Sequence, residues 1–172
     1  GAQVPCLRPK HLATDDSLQI HSIRHMVRYL EKKGNFFDTI ILMQPTCPIR
    51  RVKDVKKSIN IFKKTNSDTL VSLKEITGGV STLYNFIDDN KIKAVLKNPS
   101  KGTLRQNEKK LLMRSGSVYI INRNIIMKNN SIYGKKITGV IFPEETNFNI
   151  DNKFDWDLTE SWIIKNKKII NN

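Results

Sequence analysis

This sequence lacks long apolar runs, has only two cysteines, and has few acidic residues relative to its basic ones. No apolar run approaches the roughly 18 residues that a membrane-spanning helix needs, which argues against a membrane partner. The two cysteines, Cys6 and Cys47, form neither a metal-binding pattern nor a disulfide framework. This cysteine usage is typical of a protein from a reducing cytoplasm.

The shortage of acidic residues leaves a strongly basic chain, with 30 lysines and arginines against 16 aspartates and glutamates and a net charge of +14. Such a charge can indicate nucleic-acid binding. Here the lysines are spread along the chain, and no interleaved aromatics mark a base-stacking surface. Joint enrichment of Lys, Asn and Ile, as in KNKKIINN, is typical of an AT-rich genome. We therefore expect a small polyanionic ligand rather than nucleic acid.

Strands and helices alternate through the first half of the chain. After a short strand at Val4–Leu7 and a helix with capping residues near Asp15, the apolar run Phe37–Met43 predicts a strand buried on both faces. Helical spacing follows over Val52–Lys64, and another strand over Thr69–Leu73. This βαβ order is typical of a parallel sheet.

The second half adds a predicted hairpin, because Tyr84–Ile87 and Lys91–Leu96 flank the turn sequence Asp88-Asp89-Asn90. Further strands and helices are predicted over Ser117–Ile121, Arg123–Asn129, Ile137–Phe142 and Phe154–Lys165. Without repeats or a linker, residues 1–172 are expected to form one α/β domain with a doubly wound, mostly parallel sheet. Residues 76–105 form a hairpin-bearing insertion within it.

The stretch IILMQPTCPIR, Ile40 to Arg50, places polar groups at the end of an apolar strand. Pro45 and Pro48 cannot donate to a ladder, so the strand should stop at Gln44. Ligands of open α/β sheets bind at the carboxyl ends of strands. The Gln44 amide is thus a candidate for contact with a base edge or a sugar hydroxyl, and the alternative is a satisfied core amide.

Oxygen-bearing side chains recur in NIDNKFD. Alternation in an extended segment places Asn149 and Asp151 on one side, where they could hold a hard cation such as Mg²⁺ beside a polyphosphate. The equally weighted alternative is that Asp151 or Asp155 only caps the following helix.

Two further segments are less specific on their own. Arg105 and Gln106 precede Ser115–Tyr119 by about ten residues, and an arginine can clamp a carboxylate or phosphate while Gly116 lets backbone approach a ligand. Arg8 precedes a turn. Taken alone, these residues are more typical of exposed arginines and an ordinary strand.

Read in chain order, six segments resemble motifs of the acylneuraminate cytidylyltransferases, the CMP-sialic acid synthetases. They are GAQVPCLRPKHLATD, IILMQPTCPIR, VSLKE, RQ, SGSVYI and NIDNKFDW. The resemblance covers nearly the whole chain, and Q-P-T-x-P-x-R is its most specific element. It implies an enzyme that joins CTP to a nonulosonic acid sugar, releases pyrophosphate, requires Mg²⁺ and forms a homodimer through the hairpin-bearing insertion. The alternatives are a related nucleotidyltransferase for another keto-deoxy sugar acid and a non-catalytic dimerising module of this fold.

The resemblance also implies roles for individual residues. The implied substrate-binding residues are Arg8 on the CTP side, Gln44, Arg105 facing the sugar acid, Gln106, Ser115 and Tyr119 in the sugar pocket. Asp151, Arg105 and Gln44 are the implied catalytic residues, and Asp151 with Asn149 the implied metal pair.

Two of the departures from the family bear most directly on activity. Asn149 replaces the first metal-binding carboxylate, which should weaken cation binding. The glycine- and lysine-rich phosphate loop that opens the family's sequences has no counterpart here. We therefore expect an N-terminally incomplete chain with exposed sheet edges and apolar helix faces, and little transferase activity by itself.

Overall fold

The chain was analysed as a computed structural model, which describes residues 1–76, 83–88, 91–95 and 111–167. The helices are α1 (Gln19–Lys32), α2 (Val52–Thr65), α3 (Arg123–Lys128) and α4 (Lys153–Lys165). The strands are β1 (Thr39–Leu42), β2 (Thr69–Ile76), β3 (Tyr84–Asp88), β4 (Lys91–Ala94), β5 (Leu111–Asn122) and β6 (Ile137–Ile141). Within the described ranges, no helix combines the length and apolarity needed to cross a membrane.

A four-stranded sheet in the order β1-β5-β2-β6 organises the domain. Strands β2 and β6 pair in parallel, whereas β5 pairs antiparallel with both β1 and β2. Strands β1, β2 and β6 therefore point the same way, with β5 reversed between two of them. The α/β prediction is confirmed, and the sheet is mixed because β5 enters it against the direction of its neighbours.

Helices cover both faces of this sheet, as a doubly wound arrangement requires. Side chains alternate along β5, so Val118 and Ile120 pack under α2 while Tyr119 and Ile121 pack on the opposite face under α1 and α3. On the α2 side, Phe62 completes the buried cluster with residues of β2 and β6. Burial on both faces explains the apolar run Val118–Ile121 in the second half of β5.

Two expectations for the N-terminal part are wrong. Strand β1 is not buried on both faces, since Ile41 is 38% exposed, because β1 lies at the edge of the described sheet and pairs there with β5 alone. Val4–Leu7 is not a strand. That segment lies along α1, where Tyr29 donates to the Pro5 carbonyl at 2.9 Å, and Val4 is exposed. Helix α1 begins at Gln19, after the predicted caps.

The predicted hairpin is confirmed by the pairing of β3 with β4, in which Tyr84 faces Ala94. Its turn, residues 89–90, and the end of the insertion, residues 96–105, lie outside the described residues. The two strands form a sheet of their own, and Phe86, Ile87 and Ile92 are exposed on it.

An irregularity in the β2–β5 ladder shapes the sheet edge where β1, β2 and β6 end, here called the carboxyl edge. The register shifts between Val71 and Leu73, and Gly116 on β5 has a φ of +78°. The buried Ser72 hydroxyl accepts a bond from the Val118 amide at 2.8 Å and from the Ser115 hydroxyl at 2.7 Å. Ser72 thus supplies a side-chain acceptor where the regular ladder is interrupted.

Replacing Ser72 with alanine should therefore destabilise the fold by about 1–3 kcal/mol, because it leaves the buried Val118 amide without its acceptor. Urea unfolding would measure the loss. Ser58→Ala is the matched control, since the buried Ser58 hydroxyl donates to the Asp54 carbonyl within α2 and should cost less when removed. Equal losses in the two variants would contradict this role for Ser72.

Candidate active site

Arg50, the last residue of the Q-P-T-x-P-x-R element, connects the loop after β1 to β5 through hydrogen bonds. Arg50 Nε donates to the Ser117 carbonyl at 2.8 Å, and Nη2 donates to the Gln44 carbonyl. The Cys47 amide also donates to the Gln44 carbonyl, at 3.1 Å, which closes a turn. One guanidinium therefore joins the strand end at Gln44 to the neighbouring strand.

Gly116 allows this loop to lie against β5. A Cβ atom at Gly116 would stand 2.8 Å from Gln44 Oε1 and 3.1 Å from Cys47 Sγ. The sequence predicted that Gly116 permits a close backbone approach, with a ligand as the neighbour. In the structure the close neighbours are the side chains of Gln44 and Cys47.

Cys47 connects three parts of the site. Its fully buried thiol lies 3.3 Å from the Ser115 carbonyl and 3.4 Å from Asn149 Oδ1, both of which are acceptors. Burial raises the pKa of the Cys47 thiol, so it carries its proton at neutral pH and acts as a donor. The Ile150 amide donates to the Thr46 carbonyl at 2.8 Å, which adds a backbone bond between the same segments.

The segment before α4 presents one exposed carboxylate. Asn149 Nδ2 donates to Asp151 Oδ2 at 2.6 Å. Asp155 and Asn152 form a reciprocal capping box at the start of α4, so the capping alternative holds for Asp155. The N-cap residue is Asn152 rather than Asp151, and Asp151 is exposed beside α4.

A cleft of about 1060 Å³ opens at the carboxyl edge, between the ends of β2, β5 and β6 and the first turns of α4. Ser115, Asn149 and Asp151 line it, and so do two cations that the sequence pattern did not single out, Lys74 and Arg114. Arg114 donates to the Tyr133 hydroxyl, and its guanidinium carbon lies 4.9 Å from the centre of the Tyr133 ring. The position of both cations at strand ends was the available signal, but an exposed cation there is also typical of ordinary surface.

Four of the predicted site residues come together at this edge: Gln44, Ser115, Asn149 and Asp151. Tyr119 lies further along β5 in the core, edge-on to Tyr133 with ring centres 6.5 Å apart. Burial raises the pKa of the Tyr119 hydroxyl.

The other predicted residues are not placed at the edge. Arg8 is exposed on the segment whose Pro5 and Leu12 carbonyls accept bonds from α1 side chains. Arg105 and Gln106 lie outside the described residues. The roles of Arg8, Arg105, Gln106 and Tyr119 stay predictions.

The metal-ligand chemistry at this edge centres on Asp151, although Glu75, Glu144 and Asp155 also line the cleft. Among the described residues, no three or more His, Cys, Asp or Glu side chains cluster in a way that could hold a metal ion. Asp151 has one oxygen bonded to Asn149 and remains exposed. This donor set fits Mg²⁺, which keeps most of its waters and takes one or two protein carboxylates beside substrate phosphates.

Comparison with known proteins finds several relatives, one of them the post-translational flagellin modification protein B of Campylobacter coli, 28% identical over 170 residues and covering 98% of this chain and 71% of that protein. The chain is 29% identical over 172 residues to the CMP-N,N'-diacetyllegionaminic acid synthase of Legionella pneumophila, covering 99% of this chain and 73% of that protein. It is 21% identical over 150 residues to the N-acylneuraminate cytidylyltransferase of Streptococcus agalactiae, covering 87% and 35%. No family model matches the sequence.

Among solved structures, the chain resembles CMP:2-keto-3-deoxy-manno-octonic acid synthetase complexed with CTP, with a TM-score of 0.55 and 12% identity over 88% of this chain and 70% of that one. The fold is therefore the α/β fold of a nucleotidyltransferase. The homologues are cytidylyltransferases, and the predicted resemblance to the CMP-sialic acid synthetase family is confirmed.

Alanine at position 116 should disrupt the edge more than alanine at another left-handed glycine. Gly34 has a φ of +85°, and a Cβ there would meet no atom within 4 Å, so Gly34→Ala should cost only the backbone strain, about 1–2 kcal/mol. Gly116→Ala adds crowding against Gln44 and Cys47. Urea midpoints of both variants test this, and a smaller loss at Gly116 would refute the close packing.

Proposed function

We propose that this chain carries the activity of a cytidylyltransferase that forms a CMP-activated nonulosonic acid from CTP and the free sugar acid, with release of pyrophosphate. The proposal is carried by the convergence of Gln44, Ser115 and Asp151 beside a cleft at the carboxyl edge of the sheet. That edge is where open α/β sheets bind ligands. The cytidylyltransferases among its relatives give the reaction class.

In this reaction the anomeric hydroxyl of the sugar acid attacks the α-phosphorus of CTP. The bond from that phosphorus to the bridging oxygen breaks, the electron pair leaves with pyrophosphate, and the proton of the attacking hydroxyl passes to water. Catalysis then depends on positioning two anions and on countering the charge that builds on the leaving group. Lys74 and Arg114 line the cleft and supply positive charge there, while Gln44 offers both donors and an acceptor for orientation.

Mg²⁺ is part of the proposal. Asp151 would hold it, with phosphate oxygens of the nucleotide and water as its other ligands. When bound, the ion would neutralise phosphate charge. The residues of the chain keep Asp151 in place, since its carboxylate accepts from Asn149 and its backbone amide donates to Asp155 Oδ2 at 3.0 Å.

A related synthetase for an eight-carbon keto-deoxy acid is the second candidate, because the chain shares the fold of CMP:2-keto-3-deoxy-manno-octonic acid synthetase. Pocket shape selects the sugar, so parallel assays with nonulosonic and octonic acids separate the two. A chain that releases no pyrophosphate with either would favour the non-catalytic module.

The test is release of pyrophosphate from CTP in the presence of Mg²⁺ and each sugar acid. It is run on the chain as it stands and, as a second arm, on a fusion carrying a glycine- and lysine-rich phosphate-binding segment of the family's form. Release that depends on a nonulosonic acid supports the proposal. Failure of the fusion with every sugar acid would refute it.

Asp151→Asn should lower that activity by about 10²-fold or more, because it removes the charge that would hold the cation. Asp157→Asn is the matched control on α4, where the exposed Asp157 carboxylate pairs with Lys153 Nζ at 2.7 Å. The kcat of this control should match that of the parent. An Asp151→Asn enzyme of unchanged kcat would remove Asp151 from the mechanism.

We also propose a homodimer that forms through the β3–β4 hairpin. Phe86 is 81% exposed, and Tyr84, Ile87 and Ile92 are exposed beside it, which is more apolar surface than a lone hairpin normally presents. Isologous contact between two such hairpins would bury these side chains.

Phe86→Lys should convert the dimer to monomer, because it places a charge within the apolar contact. Phe36→Lys is the control, since Phe36 is 77% exposed but lies before β1 rather than on the hairpin. Sedimentation velocity of the three proteins provides the readout. A parent chain that sediments only as a monomer would contradict the proposal.

A further inference from the structure

We infer that Asn149 is a positioning residue that holds the Asp151 carboxylate with its amide nitrogen, and that it leaves the chain with a weak, single-carboxylate cation site. The inference rests on the proposed function for the role of Asp151. It differs from the role that the sequence suggested for Asn149, which was to supply a second oxygen ligand.

The orientation of the Asn149 amide follows from its two neighbours. On one side lies the buried Cys47 thiol, which has one hydrogen and two acceptors in reach, the Ser115 carbonyl at 3.3 Å and Asn149 Oδ1 at 3.4 Å. On the other side lies a carboxylate, which only accepts, and Asn149 Nδ2 is 2.6 Å from Asp151 Oδ2. Turning the amide over would set nitrogen against the thiol donor and oxygen against the carboxylate. The contact with Asp151 therefore selects the orientation, and the contact with the Cys47 thiol agrees with it.

In this orientation Asn149 Nδ2 faces the place that a cation shared by positions 149 and 151 would occupy. An amide nitrogen has no lone pair to give to a metal. The same N–H bond occupies part of the accepting capacity of Asp151 Oδ2. A carboxylate at position 149 would instead add a negative charge beside Asp151. Hard cations respond strongly to the number of charged oxygen ligands, so one carboxylate gives a much weaker site than two.

The cleft beside Asp151 carries charges of both signs, since Glu75, Glu144 and Asp155 line it together with Lys74 and Arg114. Of these, Lys74 and Arg114 disfavour a free cation. One of the Asp155 oxygens accepts from the backbone amides of residues 151 and 152. The Asp151 carboxylate takes no part in the capping box of α4 and is the more exposed of the two.

The decisive experiment is a titration with Mn²⁺ alone, with free Mn²⁺ followed by electron paramagnetic resonance. We expect weak binding by the parent chain and binding at least about tenfold tighter by Asn149→Asp. Adding Asp151→Asn to Asn149→Asp should remove that gain. Parent binding as tight as that of Asn149→Asp, or no gain in Asn149→Asp, would overturn the inference.

Thermal unfolding gives a second readout that does not depend on affinity. Without metal, Asn149→Asp should unfold at a lower temperature than the parent, because two adjacent carboxylates repel and the donor to Asp151 is lost. Mn²⁺ should raise the Tm of this variant by more than it raises the Tm of the parent. Equal shifts in both proteins would overturn the inference even if Asn149→Asp folds poorly.

A matched pair of variants at position 47 tests the role of the Cys47 thiol. Cys47→Ser keeps a donor at the position and should leave Mn²⁺ affinity unchanged. Cys47→Ala removes the donor, frees Asn149 Oδ1 to turn toward the cation, and should tighten Mn²⁺ binding. Identical affinities in the two variants would exclude the thiol as the group that orients the amide.

None of these measurements contains CTP or a sugar acid. Their failure would therefore revise the role of Asn149 without touching the proposed transfer reaction. Conversely, a chain that forms no CMP-sugar could still show the Mn²⁺ differences described.

Discussion

The site depends on one close contact, between the loop after β1 and the bulged start of β5. Gly116 provides the space, since its missing Cβ is where Gln44 and Cys47 pack. Arg50 then bonds to both sides of the contact, at the Ser117 and Gln44 carbonyls. Because Cys47 also reaches Asn149, this packing extends to the segment before α4. Residues more than 100 positions apart in sequence are thereby held in one place.

The mixed direction of the sheet helps to explain why this contact arises. With β5 reversed, its first residues lie at the same edge as the last residues of β1, β2 and β6. The edge thus combines a strand start with three strand ends. Ser115 and Arg114 come from that start, and Lys74 from the far part of β2, so residues from non-neighbouring segments meet at the cleft.

Local sequence patterns predicted the bounds of the helices and strands well, but they predicted less well which segments pair in the sheet and which are exposed. Periodicity over about ten residues identified α2, α4 and the hairpin strands nearly to their ends, because that signal is contained within each element. The exposure of β1 and the coil at Val4–Leu7 depend on which strands lie alongside, which no local pattern contains. Motif order singled out Gln44 and Asp151, whose roles stay predictions, whereas Arg114 of the cleft was not singled out because a cation at a strand end resembles ordinary solvated surface.

The most consequential departure from the family pattern is Asn149, and the hydrogen-bonding groups of its side chain have partners in the structure. A pair of carboxylates at positions 149 and 151 would repel one another until a cation arrived, so the folded site would depend on its metal. An amide at position 149 removes that dependence, since it donates to Asp151 and accepts from Cys47 at the same time. The carboxylate is then preorganised before any cation binds. The hydrogen bonds that order this edge are the same ones that a tighter metal site would have to break.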